Sequence, residues 1–201
     1  MIKKKYEGFW SKKNIMSLII VFLMISSVLA IWQGSQSSSS NTIEPYNDHD
    51  ITFTDEGFFI ESDYGDIQGY SYPSSLEAIS FDAALVQYLR SSSQVIVLFD
   101  PNDSNLEYVE ILRSDFAVDD FPALVQEVSF ALTTNSSLYS YPVLDCASTP
   151  LPTLYIHTAN VTSPRIYQDS GCVVLEAARW EDLFKLKDRV VYTLAGIMDA
   201  S

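Results

Sequence analysis

Only seven glycines occur in 201 residues, and none stands in a G-x-G-x-x-G or Walker arrangement, so a glycine-built phosphate cradle is excluded. There is no G-x-S-x-G, the signature of an α/β-hydrolase nucleophile elbow. Two cysteines are too few for a thiolate-built zinc site, and no C-x-x-C is present. Basic residues are scarce and unevenly spread. Five of the 12 Lys and Arg fall within residues 1–13 (Lys3, Lys4, Lys5, Lys12, Lys13), whereas everything after residue 34 holds seven bases against 25 acids, a net −18. A domain so poor in positive charge has no basic face for phosphates, which argues against nucleic acid as a partner. At 47% hydrophobic and 13% aromatic, the chain is not a disordered polyelectrolyte, and its length suits one domain with an appendage.

The first feature present is a long uncharged run. No charge occurs from Asn14 to Ile43, and Ile15 to Trp32 is apolar apart from Ser17, Ser26 and Ser27. Eighteen helical residues span roughly 27 Å, close to the hydrocarbon thickness of a bilayer. Trp10 and Trp32 bracket the run, as interfacial aromatics do, and the lysines lie on its N-terminal side only. The expected organisation is a cytoplasmic basic tail (1–13), a single transmembrane anchor (14–33), a Ser-rich tether (34–43) and an extracytoplasmic domain (44–201). A cleaved signal peptide is the rival, with Val28-Leu29-Ala30 before the cut. Signal h-regions are usually shorter, so the anchor is preferred, and both readings place the domain outside.

Within that domain, Ile51-Thr52-Phe53-Thr54 and Phe58-Phe59-Ile60-Glu61 flank Asp55-Glu56-Gly57 as a hairpin, with a third strand over 66–72 ended by Pro73. Ser80 is the expected cap of a helix whose stripe is Phe81, Ala84, Leu85, Tyr88 and Leu89. Val95–Phe99 has no alternation and reads as a central strand covered on both faces. Glu107–Leu112 reads as a strand from its β-prone residues. Asp120 is expected to cap a helix with Pro122 in its first turn and an apolar face of Phe121, Leu124, Val125, Val128 and Leu132. Pro142–Leu144, Leu154–Ile156 and Cys172–Leu175 read as strands, and Arg165–Tyr167 as a fourth pairing with the last across Asp169-Ser170-Gly171. Trp180, Leu183, Phe184, Val190, Val191, Leu194 and Met198 keep the helical period, with Glu181 and Asp182 in the first turn. The expected fold is therefore an α/β domain with a mixed sheet and about three helices.

Cys146 and Cys172 both fall in the external part, where one disulfide is the default. Asn102, Asn135 and Asn160 each open an N-x-[ST] sequon in a loop or loop edge. His49, between Asp48 and Asp50, reads as a solvated linker residue. His157 reads as an edge residue closing a strand. The oxygen-rich Asp100-Pro101-Asn102-Asp103 reads as a turn, lacking the glycine and glutamate of an EF-hand loop. No metal and no cofactor is expected. Residues 46–72 are unusually aromatic, and Glu44 to Leu89 carries ten acids and no Lys or Arg. Such aromatics either pack a hairpin layer or form a contact surface for protein or glycan.

Tyr46-Asn47, Ile51-Thr52-Phe53, Gly57, Pro73, Cys146, Cys172-Val173-Val174 and Asp188-Arg189-Val190-Val191-Tyr192 with Gly196-Ile197-Met198 resemble a group of single-anchor proteins of archaeal type. Where that group has Tyr-Asn-Gly, this chain has Asp48. The resemblance covers most of 44–198 and implies an extracytoplasmic domain with a paired cysteine. No catalytic residue emerges from motif or resemblance. The expected function is a membrane-anchored binding or structural domain, held to the bilayer by its helix and contacting envelope proteins or glycans. The alternative is an envelope hydrolase using carboxylates or His157.

Overall fold

The computed structural model describes residues 43–54, 57–117 and 127–201. The predicted basic tail, anchor and nearly all of the tether lie outside them. Among the described residues no helix is long and apolar enough to cross a membrane. Ile43, at the end of the expected tether, opens the first strand.

Two sheets and three α-helices make up the described part. The first sheet is antiparallel, in the order β1 (Ile43–Tyr46), β2 (His49–Thr54), β3 (Gly57–Ser62), β4 (Gly65–Gly69). The second is mixed, in the order β6 (Glu127–Leu132), β5 (Gln94–Phe99), β7 (Thr153–Thr158), β9 (Cys172–Ala177), β8 (Arg165–Asp169). Its strands run parallel except β8, which pairs antiparallel with β9 through the predicted turn. The helices are α1 (Ala83–Arg90), α2 (Leu106–Asp115) and α3 (Trp180–Ala195).

β5 has Val95 to Phe99 buried and a strand on each side, as its unbroken apolar run predicts. Side chains alternate across this sheet. Val95, Val97, Phe99, Leu154, Ile156, Val173 and Leu175 join the main core with the helices. Ile96, Leu98, Ala131, Cys172 and Val174 form a smaller cluster on the other face, covered by Leu144, Cys146 and Leu151. The predicted Cys146–Cys172 disulfide is present and fastens that covering loop to the first residue of β9.

α3 is buried nearly all round, as befits a helix with packed structure on more than one side. It packs on β9, α1 and α2. A separate stripe of Phe184, Asp188 and Tyr192, spaced four apart, meets the end of the antiparallel sheet. Phe184 packs edge-on to Tyr70 at 4.7 Å, Asp188 accepts from the Tyr70 and Ser71 amides, and Tyr192 donates to the Ser71 carbonyl. Gly69 makes this approach feasible. A Cβ there would lie 1.9 Å from the Tyr192 hydroxyl and 2.4 Å from the Phe58 ring. Gly69→Ala is therefore expected to destabilise by about 3 kcal/mol or more, the upper range for overpacking. A urea melt checks this, and a loss under 1 kcal/mol would show that the sheet shifts freely on α3.

Several expectations need correction. Glu107–Leu112 is not a strand but part of α2, because Val109, Leu112 and Phe116 recur at helical spacing and all are fully buried. Burial of that stripe outweighs β-propensity. Val128 and Leu132 do not sit on a helix but in edge strand β6, paired with Val95 and Phe99; Asp120, Phe121, Leu124 and Val125 lie outside the described residues. Ser80 is not the cap of α1. Asp82 is, accepting from the Ala84 amide at 2.7 Å, while Ser80 donates to the Ser201 carbonyl. The α1 face is Leu85, Val86 and Leu89, with Ala84 exposed. Pro142–Leu144 contributes one bridge, Val143 to Leu132, rather than a strand. His49 is in β2, not in a linker. Asn47, at φ 51°, turns the chain from β1 back into β2. Asparagine tolerates that left-handed conformation better than most residues.

Candidate functional site

In open α/β sheets, ligands bind outside the carboxyl ends of the parallel strands. Here β9 ends at Ala177 and α3 starts at Trp180, which brings strand end and helix N-terminus together. Two grooves adjoin at this place and share Lys185. One, of about 350 Å³, is lined by Tyr70, Ser71, Trp180, Glu181, Phe184 and Lys185. The other, of about 510 Å³, is built from the 75–79 turn, the β7–β8 loop and the start of α3.

The smaller groove is aromatic. Trp180 stacks on Tyr108 of α2 at 4.5 Å, with the planes 9° apart. Trp180 also meets Phe184 edge-on at 6.0 Å. The Tyr70 hydroxyl donates to Asp115 at 3.0 Å, which fixes the ring at the groove wall. Trp180 and Tyr70 nevertheless remain 39% and 50% exposed, large apolar surface for side chains so firmly held. Burial raises the Tyr108 hydroxyl pKa, helped by Glu107, so this phenol stays protonated and can donate.

The larger groove is polar. Asp182 is buried at its base and bonded to Lys185 at 2.8 Å and Arg179 at 3.1 Å. Burial pushes the Asp182 carboxyl up, but Lys185 and Arg179 outweigh it and hold it below the ordinary value. Thr162, Ser163 and Ser75 add hydroxyls. Four of the seven bases beyond residue 34 fall within residues 179–189. Lys187 and Arg189 are buried, whereas Arg179 and Lys185 reach solvent. A domain of net −18 thus gathers its scarce positive charge beside an aromatic wall.

The structure disperses the titratable residues singled out from sequence. The Asp100 carboxylate accepts from the Asn102 amide, as a turn residue does. Asp103 accepts from the Thr158 hydroxyl and amide and from the Asn105 amide, tying the β5–α2 turn to the end of β7. His157 Nδ1 lies 3.2 Å from the Tyr155 hydroxyl, with the two rings stacked. Burial pushes the Tyr155 phenol up to about 12, aided by Asp100 and Asp103. Glu176, buried across from His157, is occupied by Arg165 and by the Tyr167 hydroxyl. Neither groove is lined by His157 or Asp100. His49 Nδ1 lies 2.9 Å from the Glu61 carbonyl in a third depression with Asp48, Asp50 and Asp63. Among the described residues, no group of three or more His, Cys, Asp or Glu is placed to hold a metal ion.

The aromatic segment divides. Tyr46, Phe53, Phe58 and Tyr72 pack together against the main core, with ring centroids 6.0–6.3 Å apart. Tyr70 instead lines a groove with α3. Sequence reading placed Trp180 on the apolar face of its helix. Its first-turn position beside Glu181 was the available signal that it leaves the core. No family model, curated protein or solved structure matches this chain.

Proposed function

We propose that this chain is a single-anchor, extracytoplasmic binding domain that contacts envelope glycans or proteins through the paired groove at the start of α3. The observation that carries the reading is a wall in which Trp180 and Tyr70 stay exposed while Tyr108, Phe184 and Asp115 hold them, beside Arg179 and Lys185. Rigid aromatics bury large area at low entropic cost, and their faces suit the apolar faces of sugar rings. Ser71, Glu181, Lys185 and Thr162 supply donors and acceptors around that wall. A glycan is the better fit than a protein surface, because an aromatic groove and a polar groove adjoin over a short span. The tail, anchor and tether support the outward placement through their charge asymmetry.

Purified envelope polysaccharide titrated into the full chain in detergent tests this by calorimetry. Trp180→Ala is expected to weaken binding at least tenfold while Tm moves by only a few degrees, since the indole is partly exposed. Equal binding by both proteins would refute the groove. A crosslinker at position 181 that captures only protein would replace glycan by a protein partner.

A further inference from the structure

The three sequons are scattered in sequence, at Asn102, Asn135 and Asn160. The fold brings them to one rim. Each follows the carboxyl end of a parallel strand: Asn102 after β5, Asn135 after β6 and Asn160 after β7. These three strands are neighbours, in the order β6-β5-β7. Neighbouring strands lie about 5 Å apart, so all three sequons emerge on one edge of the sheet. All three asparagines are exposed.

Their local settings differ. The Asn102 side chain donates to Asp100 at 3.3 Å and to Thr134 at 3.1 Å, and its own backbone amide is held by Asp100. The middle residue of that sequon, Asp103, is bonded into β7 through Thr158. The Asn102-Asp103-Ser104 turn is therefore closed and cross-braced. Asn135 and Asn160 carry no such side-chain bond among the described residues, and each sits in irregular backbone, with Ser137 and Thr162 of their sequons also exposed. A transferase has to draw the asparagine amide and the hydroxyl two residues on into its own site. That requires a segment whose backbone and side chain can be pulled away from the fold.

We propose that Asn135 and Asn160 are N-glycan acceptors on the carboxyl rim of the parallel sheet, and that Asn102 is not. The donor is a lipid-linked oligosaccharide phosphate, and the catalyst a membrane oligosaccharyltransferase facing the same side as the domain. The Asn Nδ2 atom forms a bond to C1 of the first sugar. The C1–O bond to the lipid phosphate breaks and its electron pair leaves with the phosphate, while the amide nitrogen gives up one proton. Thr162 lines the polar groove, so the glycan on Asn160 stands at its mouth and sets how large a ligand enters. The flanking positions of β6 and β7 place the two glycans on either side of the β5 end. The edge from which they grow is then shielded from close association with other proteins. This proposal rests on the extracytoplasmic reading above.

The full chain is recovered from membranes of a cell that has an asparagine oligosaccharyltransferase and modifies a control sequon. Glycosidase release is followed by mass mapping of the asparagines. The expected result is modification at Asn135 and Asn160, with Asn102 bare. Asn135→Gln and Thr162→Ala should each remove one step of the gel shift, and Asn102→Gln should remove none. Occupancy at Asn102 equal to that of the other two, or bare Asn135 and Asn160, would overturn the proposal. Protease added outside intact spheroplasts separates the two ways of failing. If the domain is cut but bare, the acceptor assignment alone is wrong. If the domain is protected, the outward placement is wrong and the proposal falls with it.

Discussion

Asp188→Ala is expected to lower the unfolding free energy by about 3–5 kcal/mol, the cost of breaking a buried ion pair from one side. Asp188 and Lys187 are both fully buried on α3, 3.1 Å apart. Three different elements of support meet at that carboxylate. It accepts from the Tyr70 amide at 2.9 Å and the Ser71 amide at 2.6 Å, and Lys187 sits over the Tyr70 ring at 4.8 Å. Truncation takes an anionic partner from the buried Lys187 ammonium and the acceptor from the part-buried Tyr70 and Ser71 amides, which is why the loss exceeds that of an ordinary surface pair. It also unfastens Tyr70 from α3, so the aromatic groove should lose its wall. Chemical denaturation of the full chain in detergent, followed by tryptophan fluorescence, measures the first effect. A loss below 1 kcal/mol would mean that the pair is not buried in solution.

The same site makes stability depend on pH. Burial pushes the Asp188 carboxyl up to about 6, against the opposing pull of Lys187 and the two amides. Between about pH 4 and 6 the folded chain therefore keeps a proton that the unfolded chain has released. The contribution from this group is full below pH 4 and is lost as the pH rises through 6. Two pKa units correspond to about 3 kcal/mol. Asp188→Asn removes the titration, so the stability gap between the natural chain and this variant should narrow by about that amount from pH 4 to pH 7. A gap that stays constant across the range would refute the assignment. Asp182 works in the opposite sense, since its lowered carboxyl loses its support as the pH falls. It is present in both proteins, and so it cancels in the comparison.

Breaking the Cys146–Cys172 disulfide is expected to cost about 3–4 kcal/mol, by the chain-entropy relation for a closed loop of about 27 residues. The cysteines are 26 apart in sequence, with Cα atoms 5.2 Å apart. The bridge does more than restrict the unfolded chain. It holds the loop carrying Leu144 and Leu151 over Ile96, Leu98, Ala131 and Val174, on the sheet face away from the main core. Reduction, or Cys146→Ala with Cys172→Ala, should expose that face to a hydrophobic dye before the helix-covered core unfolds. Gly171→Ala is expected to disturb the same closure, because Gly171 has φ +96° and its added Cβ would meet the Cys146 carbonyl at 2.6 Å. If the double variant melts with the natural chain and binds no dye, the loop is held by its apolar contacts alone.

Local signals were sufficient where one periodicity dominated. The β2–β3 hairpin, central β5, the β8–β9 turn and α3 were each visible in residues within a single element. In α2, Tyr108-Val109-Glu110-Ile111-Leu112 has strand-forming residue types, whereas its burial repeats every three to four positions. Propensity reports an average environment, and the packing partner decides against it. Val128 and Leu132 show the converse, since helical spacing runs through a short segment that pairs alongside β5. At the candidate site, Trp180 and Phe184 were legible as helix residues, but nothing near them in sequence announced Tyr70 or Tyr108. The Tyr108–Trp180 contact spans about one-third of the chain and the Tyr70–Phe184 contact more than half of it, and no periodicity reaches that far.

Charge and composition alone separated a basic N-terminal segment from a domain of net −18, and argued against a nucleic-acid partner. These conclusions need only summed charge and the hydrophobicity of a continuous run, both additive along the chain. Which of the seven bases beyond residue 34 are buried, and which face a groove, is a different kind of fact. Lys187 and Arg189 lie two residues from Lys185 in sequence or four at most, yet they are sealed between α3 and its neighbours while Lys185 reaches solvent. A helix turns about 100° per residue, so adjacent side chains enter different environments, and only the elements packed around α3 determine which. The same holds for the three sequons. Their spacing in sequence is arbitrary, and it is the parallel order β6-β5-β7 that delivers them to one edge.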